Sequence, residues 1–133
     1  MMERYEKDMT VEAKTLTDMV RTQVMPAVFE YRRLLGESAI ALKAVSVEPA
    51  SEVELLERMN VLLASLRKDL ERLEAAIEHM EASAHDQLAS AFIAHDEVYP
   101  LMDVVRTSVD SLEEIVGDKF WTLPKYTELL LTI

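Results

Sequence analysis

SEVELLERMNVLLASLRKDLERLEAAIEHMEASA, residues 51–84, decides the fold. Its apolar residues fall at Leu56, Met59, Leu63, Leu66, Leu70, Leu73, Ile77, Met80 and Ala84, in steps of three and four that alternate without a miss. That is the 3.5-residue seam of a helix packed lengthwise against other helices. Between the seam positions stand Arg58, Arg67, Lys68, Asp69, Glu71, Arg72 and Glu74, which suit a wet face. Ser51 with Glu54 reads as a capping box, the hydroxyl taking a free amide of the first turn while the carboxylate reaches back. A helix over about 52–84 is therefore predicted, entered from the break VSVEPAS at 45–51.

Working outward, residues 3–44 carry a second helical stripe. Tyr5, Met9, Ala13, Leu16, Val20, Val24, Ala27 or Val28, Tyr31, Leu34 and Leu42 share one face at spacings near 3.6. Pro26 removes an amide and presses on the carbonyl four residues back, so a bend is expected there rather than a stop. Gly36 marks a second weak point, at about 1 kcal/mol against Ala. A third helix is predicted over 86–116, with Leu88, Phe92, Tyr99, Met102, Val105, Val109, Leu112 and Val116 as its stripe and Gly117 as its C-cap. It has its own interior proline, Pro100, and the stretches QVMPAV (23–28) and EVYPLM (97–102) stand side by side as a possible short repeat. His95 falls on this stripe, where a buried imidazole with one hydrogen-bond partner is the ordinary reading.

The expected fold is all-α. It is a single domain over 1–133, an up-down-up antiparallel bundle of three long helices, the first and third bent at Pro26 and Pro100. Composition agrees. Two glycines among 133 residues leave little for the turns a sheet protein consumes. The absence of cysteine excludes disulfides and thiolate metal sites and fits a reducing cytoplasm. A net charge of −11 repels phosphate backbones and anionic lipid, so neither nucleic acid nor a membrane is an expected partner. MMERYEKDMT holds no apolar run of the signal-peptide kind, and no stretch of eighteen apolar residues follows.

Catalytic chemistry is hard to find. Gly36 and Gly117 stand alone, so there is no phosphate-cradling loop. A di-iron bundle needs Glu-x-x-His, and the residues three before His79, His85 and His95 are Ala76, Ala82 and Phe92. Arg67, Lys68 and Arg72 invite comparison with all-helical chorismate mutases, which hold a dianion between basic side chains. Arg67 and Lys68 flank the Leu66–Leu70 seam, however, and no further basic residue can be shown from sequence to converge on them. No catalytic, cofactor or metal residue is assigned.

The C-terminal stretch KFWTLPKYTELLLTI, residues 119–133, is unusually apolar for a chain end. Phe120, Trp121, Leu123, Pro124, Tyr126, Leu129 and Leu130 are the candidate docking or interface residues. Trp121 and its neighbours bury several kcal/mol at ~25 cal/mol per Å² if the tail packs back between the helices.

Two separated stretches carry a family resemblance. Val11-Glu12-Ala13, Thr15, Asp18-Met19, Pro26-Ala27-Val28 and Tyr31 form the first. Val98, Pro100, Met102, Val105-Arg106, Asp110, Leu112-Glu113, Val116, Trp121, Pro124, Tyr126 and Leu129-Leu130 form the second. In this order they resemble the C-terminal helical region of type III glutamine synthetases. Thr122, Lys125 and Leu131 depart from the family's usual Pro, Thr and Phe, and 36–85 matches only as helix. The resemblance implies a structural and assembly domain of a bacterial, cytoplasmic enzyme that ligates ammonia to L-glutamate with ATP and Mg or Mn. It implies a separate catalytic domain, absent from this chain, as partner, and neighbouring subunits of a homo-oligomer. The tail then has a second possible seat, in that catalytic domain or a neighbour. A free-standing helical protein–protein interaction module is the alternative.

Overall fold

The computed structural model of the protein describes residues 2–121, and these form helices joined by turns, with no strand among them. In chain order they are α1 (Met2–Met19), a π turn (Val20–Val24), α2 (Met25–Ala44), α3 (Ala50–Ala82), α4 (Gln87–Ile93), a second π turn (Ala94–Val98), α5 (Tyr99–Glu113) and a 3₁₀ turn (Asp118–Phe120). Because each π turn runs directly into its flanking α segments, the chain makes three continuous rods: 2–44, 50–82 and 87–113.

The seam of α3 is as regular as its sequence. Met59, Leu63, Leu66, Leu70, Leu73, Ile77 and Met80 are all buried, and Leu56 packs on them from the edge. Ala84 lies past the helix end and is exposed. Cross-rod pairs fix the directions. Lys14 meets Glu81, Arg21 meets Glu74, Arg32 meets Asn60 and Ser38 meets Glu52, so numbers fall along α3 as they rise along the first rod. Against the third rod, the Ser90 hydroxyl donates to the Met80 carbonyl at 3.2 Å and His79 lies 3.0 Å from Glu97. One core joins all three, from Met9 and Ala13 at one end to Val116 and Trp121 at the other.

The helix ends obey local chemistry, with two corrections. Ser51 caps nothing. α3 begins one residue earlier, at Ala50, with Pro49 in the N-cap position and no side-chain cap. The Pro49 carbonyl already accepts from the Val53 amide at 3.0 Å, which puts Ser51 inside the first turn. Glu52 takes the acidic first-turn position instead and accepts from Ser38 at 2.7 Å, tying the hairpin. The second correction is Gly117. α5 ends at Glu113, and no glycine has positive φ, so Gly117 is not a left-handed cap. Ser46 is the residue in that region, at φ 62°, closing α2 while Val47 donates back to Leu42 at 2.8 Å. Asp86 is a true N-cap, its carboxylate accepting from Leu88 and Ala89. Gly36 leaves α2 unbroken.

The prolines are absorbed by widened turns. In both π turns the closing bond spans five residues: Met25 N–H to the Val20 carbonyl, and Tyr99 N–H to the Ala94 carbonyl. Each proline then sits in the first turn of the next α segment, where a missing amide costs least. The widening also resets the buried face. Leu16, Val20, Val24 and Val28 are buried at steps of four, as are Ser90, Ala94, Val98 and Met102. In a plain α-helix three such steps drift by about 120°, and one extra residue in the turn takes back about 100°.

This reset corrects the stripe expected for the third helix. From Met102 onward the residues named from sequence are buried, but Leu88, Phe92 and Tyr99 face solvent at 70%, 67% and 49% exposure. His95 is exposed with them rather than buried. On the first rod Tyr5 and Leu34 are the slips, both exposed, while Leu35 is buried.

Candidate functional site

The end of the third rod meets the first rod through aromatic packing. The Phe120 and Tyr31 rings lie 5.6 Å apart at 49°. Gly117 lets that approach happen, since a Cβ there would stand 3.1 Å from Tyr31 Cε1. Lys119 Nζ lies 4.9 Å from the centre of the Phe120 ring, a cation–π contact at the rim. Trp121 is buried in the core, and its indole N–H has no hydrogen-bond partner there. Of the tail residues named from sequence, the structure thus packs Phe120 against Tyr31 and buries Trp121 in the core. Leu123, Pro124, Tyr126, Leu129 and Leu130 lie outside the described residues. Pro26 and Pro100 stand apart from it, behind their π turns.

Between the first rod and α3 run two grooves of contrasting charge. One, of about 310 Å³, is lined by Lys14, Asp18, Arg21, Glu74, Glu78 and Glu81 among others, and its charges are cross-paired. The Arg21 guanidinium is held above its ordinary pKa chiefly by its hydrogen bond to Glu74, against partial desolvation and with help from the charges of Glu74 and Glu71. The other, of about 320 Å³, has Arg32 and Arg67 beside Phe29, Met25 and Leu63. Arg32 therefore does converge on the groove of Arg67, which the sequence alone did not reveal. Arg32 donates to Asn60 at 3.1 Å and lies over the Phe29 ring. Arg72 points elsewhere, 3.6 Å from the buried Asp69. A basic triad closing on one ligand is not formed.

Two of the three histidines pair with carboxylates: His79 with Glu97 of the third rod at 3.0 Å and His95 with its neighbour Asp96 at 2.8 Å, all of them exposed. Among the described residues no group of three or more His, Asp or Glu is placed to hold a metal ion, and no helix is long and apolar enough to cross a membrane.

Sequence comparison now adds the family. The description "Glutamine synthetase C-terminal domain" matches residues 1–43. A type-3 glutamine synthetase of Dictyostelium discoideum is 32% identical over 141 aligned residues, covering 98% of this chain. Glutamine synthetases of Bacteroides fragilis and Butyrivibrio fibrisolvens are 26% and 23% identical over 98% and 100% of it. The chain is a relative of the C-terminal domain of type III glutamine synthetases. It spans about a fifth of the length of the curated glutamine synthetases it matches, 18% of the first and 19% of the other two. The family match at 1–43 falls on the first rod, which contains Pro26 and its π turn together with Tyr31 of the aromatic cluster.

Proposed function

We propose that this chain works as a structural and assembly domain of a type III glutamine synthetase and performs no catalysis by itself. The observation that carries the reading is the match of 98% of the chain to 18% of the Dictyostelium enzyme, by a segment whose described residues form helices joined by turns. The parent reaction is the ATP-dependent ligation of ammonia to L-glutamate in the cytoplasm, with Mg or Mn held by carboxylates elsewhere in the polypeptide. The partners are the catalytic domain and neighbouring subunits of a homo-oligomer. In this reading the three rods form an up-down-up bundle, the outer two bent at Pro26 and Pro100.

A graft tests it. This chain is put in place of the matching segment of the Dictyostelium enzyme, and assembly size and glutamine formation are measured. The graft is expected to assemble and to retain activity, the isolated chain to form no glutamine, and the enzyme without the segment to lose its assembly. A graft that assembles no better than the deletion would sink the reading.

A further inference from the structure

The groove of Arg32 and Arg67, between α2 and α3, differs from its neighbours in charge. Three other surface grooves have carboxylates in their walls: Glu81 in one, Glu57 and Glu114 in a second, and Asp18, Glu74, Glu78 and Glu81 in a third. This one holds two arginines and no acid, in a chain with 25 acidic residues against 14 Lys and Arg. Acids close in sequence are engaged elsewhere, Glu30 and Glu37 with Arg33 and Glu74 with Arg21. Among the described residues Arg32 donates to the neutral Asn60, and neither Arg32 nor Arg67 meets a carboxylate.

Helix geometry aims the two cations at each other. Met25, Phe29 and Arg32 fall at steps of four and three on α2, and Asn60, Ala64 and Arg67 do the same on α3, so each trio lines one wall. Arg32 is level with Asn60, which leaves the backbone of Arg67 about 10 Å farther along. Long helical side chains lean toward the N-terminus of their own helix. Because numbers fall along α3 as they rise along α2, those leans are opposed, and both guanidiniums reach toward the middle of the groove. Arg32 obeys the rule: its Cζ lies 5.4 Å from the centre of the Phe29 ring, one turn back.

We propose that this groove binds a small organic anion, its carboxylate or phosphate head between Arg32 and Arg67 and its apolar body against Met25, Phe29 and Leu63. The planar N–H fork of a guanidinium matches either head group. Asn60 and Phe29 already hold Arg32 in place, which lowers the cost of ordering it, and the bond to Asn60 uses one of its five donors. A volume of about 320 Å³ lies at the small end of ligand sites, so a ligand of about ten non-hydrogen atoms fits, with a Kd of about 1 mM. The proposal stands apart from the glutamine synthetase reading, which an empty groove would leave intact.

Titration of the full chain with phenyl phosphate, benzoate, inorganic phosphate and neutral benzyl alcohol tests it, each taken to about 20 mM and followed by NMR at the Asn60 amide and the arginine Nε–H groups. The expected result is saturable binding of an aryl anion, the tighter of phenyl phosphate and benzoate naming the head group. Inorganic phosphate, without an apolar body, should bind about tenfold more weakly, and benzyl alcohol should cause no shift. Arg67→Gln should weaken the aryl anion by about tenfold or more. Lys68→Gln removes the same charge from the next exposed residue and should leave binding within about twofold. Circular dichroism melts establish that both variants are folded. No saturation by either aryl anion, inorganic phosphate binding as tightly as phenyl phosphate, or an equal loss in Lys68→Gln and Arg67→Gln would overturn the proposal.

Discussion

Pro26 stands two residues beyond the π turn that ends at Val24, and Pro100 stands two residues beyond the one that ends at Val98. The same device therefore occurs once in each outer rod, with buried residues at steps of four running through both turns. That pattern makes the phase of the core, rather than the proline alone, the reason for the widened turn. Deleting the exposed Asp96 together with Pro100→Ala should give a plain α-helix with both flanks still facing the core. The double variant is expected to melt cooperatively. A one-residue deletion at the exposed Lys68, midway along the regular α3, should rotate one half of its seam outward and abolish the cooperative melt.

Gly117→Ala should destabilise the fold by about 1–3 kcal/mol, because the new methyl meets the Tyr31 ring at 3.1 Å and that ring is wedged against Phe120. Urea unfolding measures the loss. Tyr31→Ala in the same chain should remove most of the extra penalty, and a purely additive pair would count against the steric account.

Two substitutions should raise stability. Gly36 has open space where a Cβ would go, so Gly36→Ala gains up to about 1 kcal/mol in α2. Ser46 holds φ 62°, so Ser46→Gly relieves about 1 kcal/mol of left-handed strain. Thermal melts of the single and double variants check both, and the two gains should add.

The Arg21–Glu74 pair bridges two rods but lies near solvent, so Arg21→Gln should cost under ~1 kcal/mol, and less in high salt. The sign of its pH dependence follows from the raised Arg21 pKa. A raised basic group contributes fully below its already high unfolded value and loses that contribution only as pH rises through the folded one. Between pH 6 and 10 the difference between wild type and Arg21→Gln should therefore stay flat in urea titrations.

Trp121→Ala should cost about 3 kcal/mol and lower the melting temperature by several degrees, since a buried ring is removed. Trp121→Phe separates the ring from its N–H. With no acceptor for that N–H in the core, the phenylalanine variant should lie close to wild type.

The sequence was most legible where the helix was plain. Every seam position of α3 from Met59 to Met80 was readable because strict three-four alternation has one geometric meaning. It misled at the third rod. Leu88, Phe92 and Tyr99 also fit a helical stripe, and the reading that assumed 3.6 residues per turn carried them into the core. The missed signal was Ser90, Ala94, Val98 and Met102 at steps of four leading up to a proline, partly hidden because Ser and Ala are weak markers of burial. Ser51 was misread because a proline N-cap with no side-chain bond looks, in sequence, like the residue before a cap. The meeting of Gly117 with Tyr31, and of Arg32 with the groove of Arg67, left no local trace, since both depend on how the rods lie side by side.

The contact between Phe120 and Tyr31 has a further meaning for anything joined to this domain. Residue 2 starts the first rod, and the chain leaves the third beside Tyr31, some twenty-nine helical residues farther along, or about 44 Å. The domain is therefore a strut, which keeps residue 2 and Trp121 about two-thirds of the first rod's length apart.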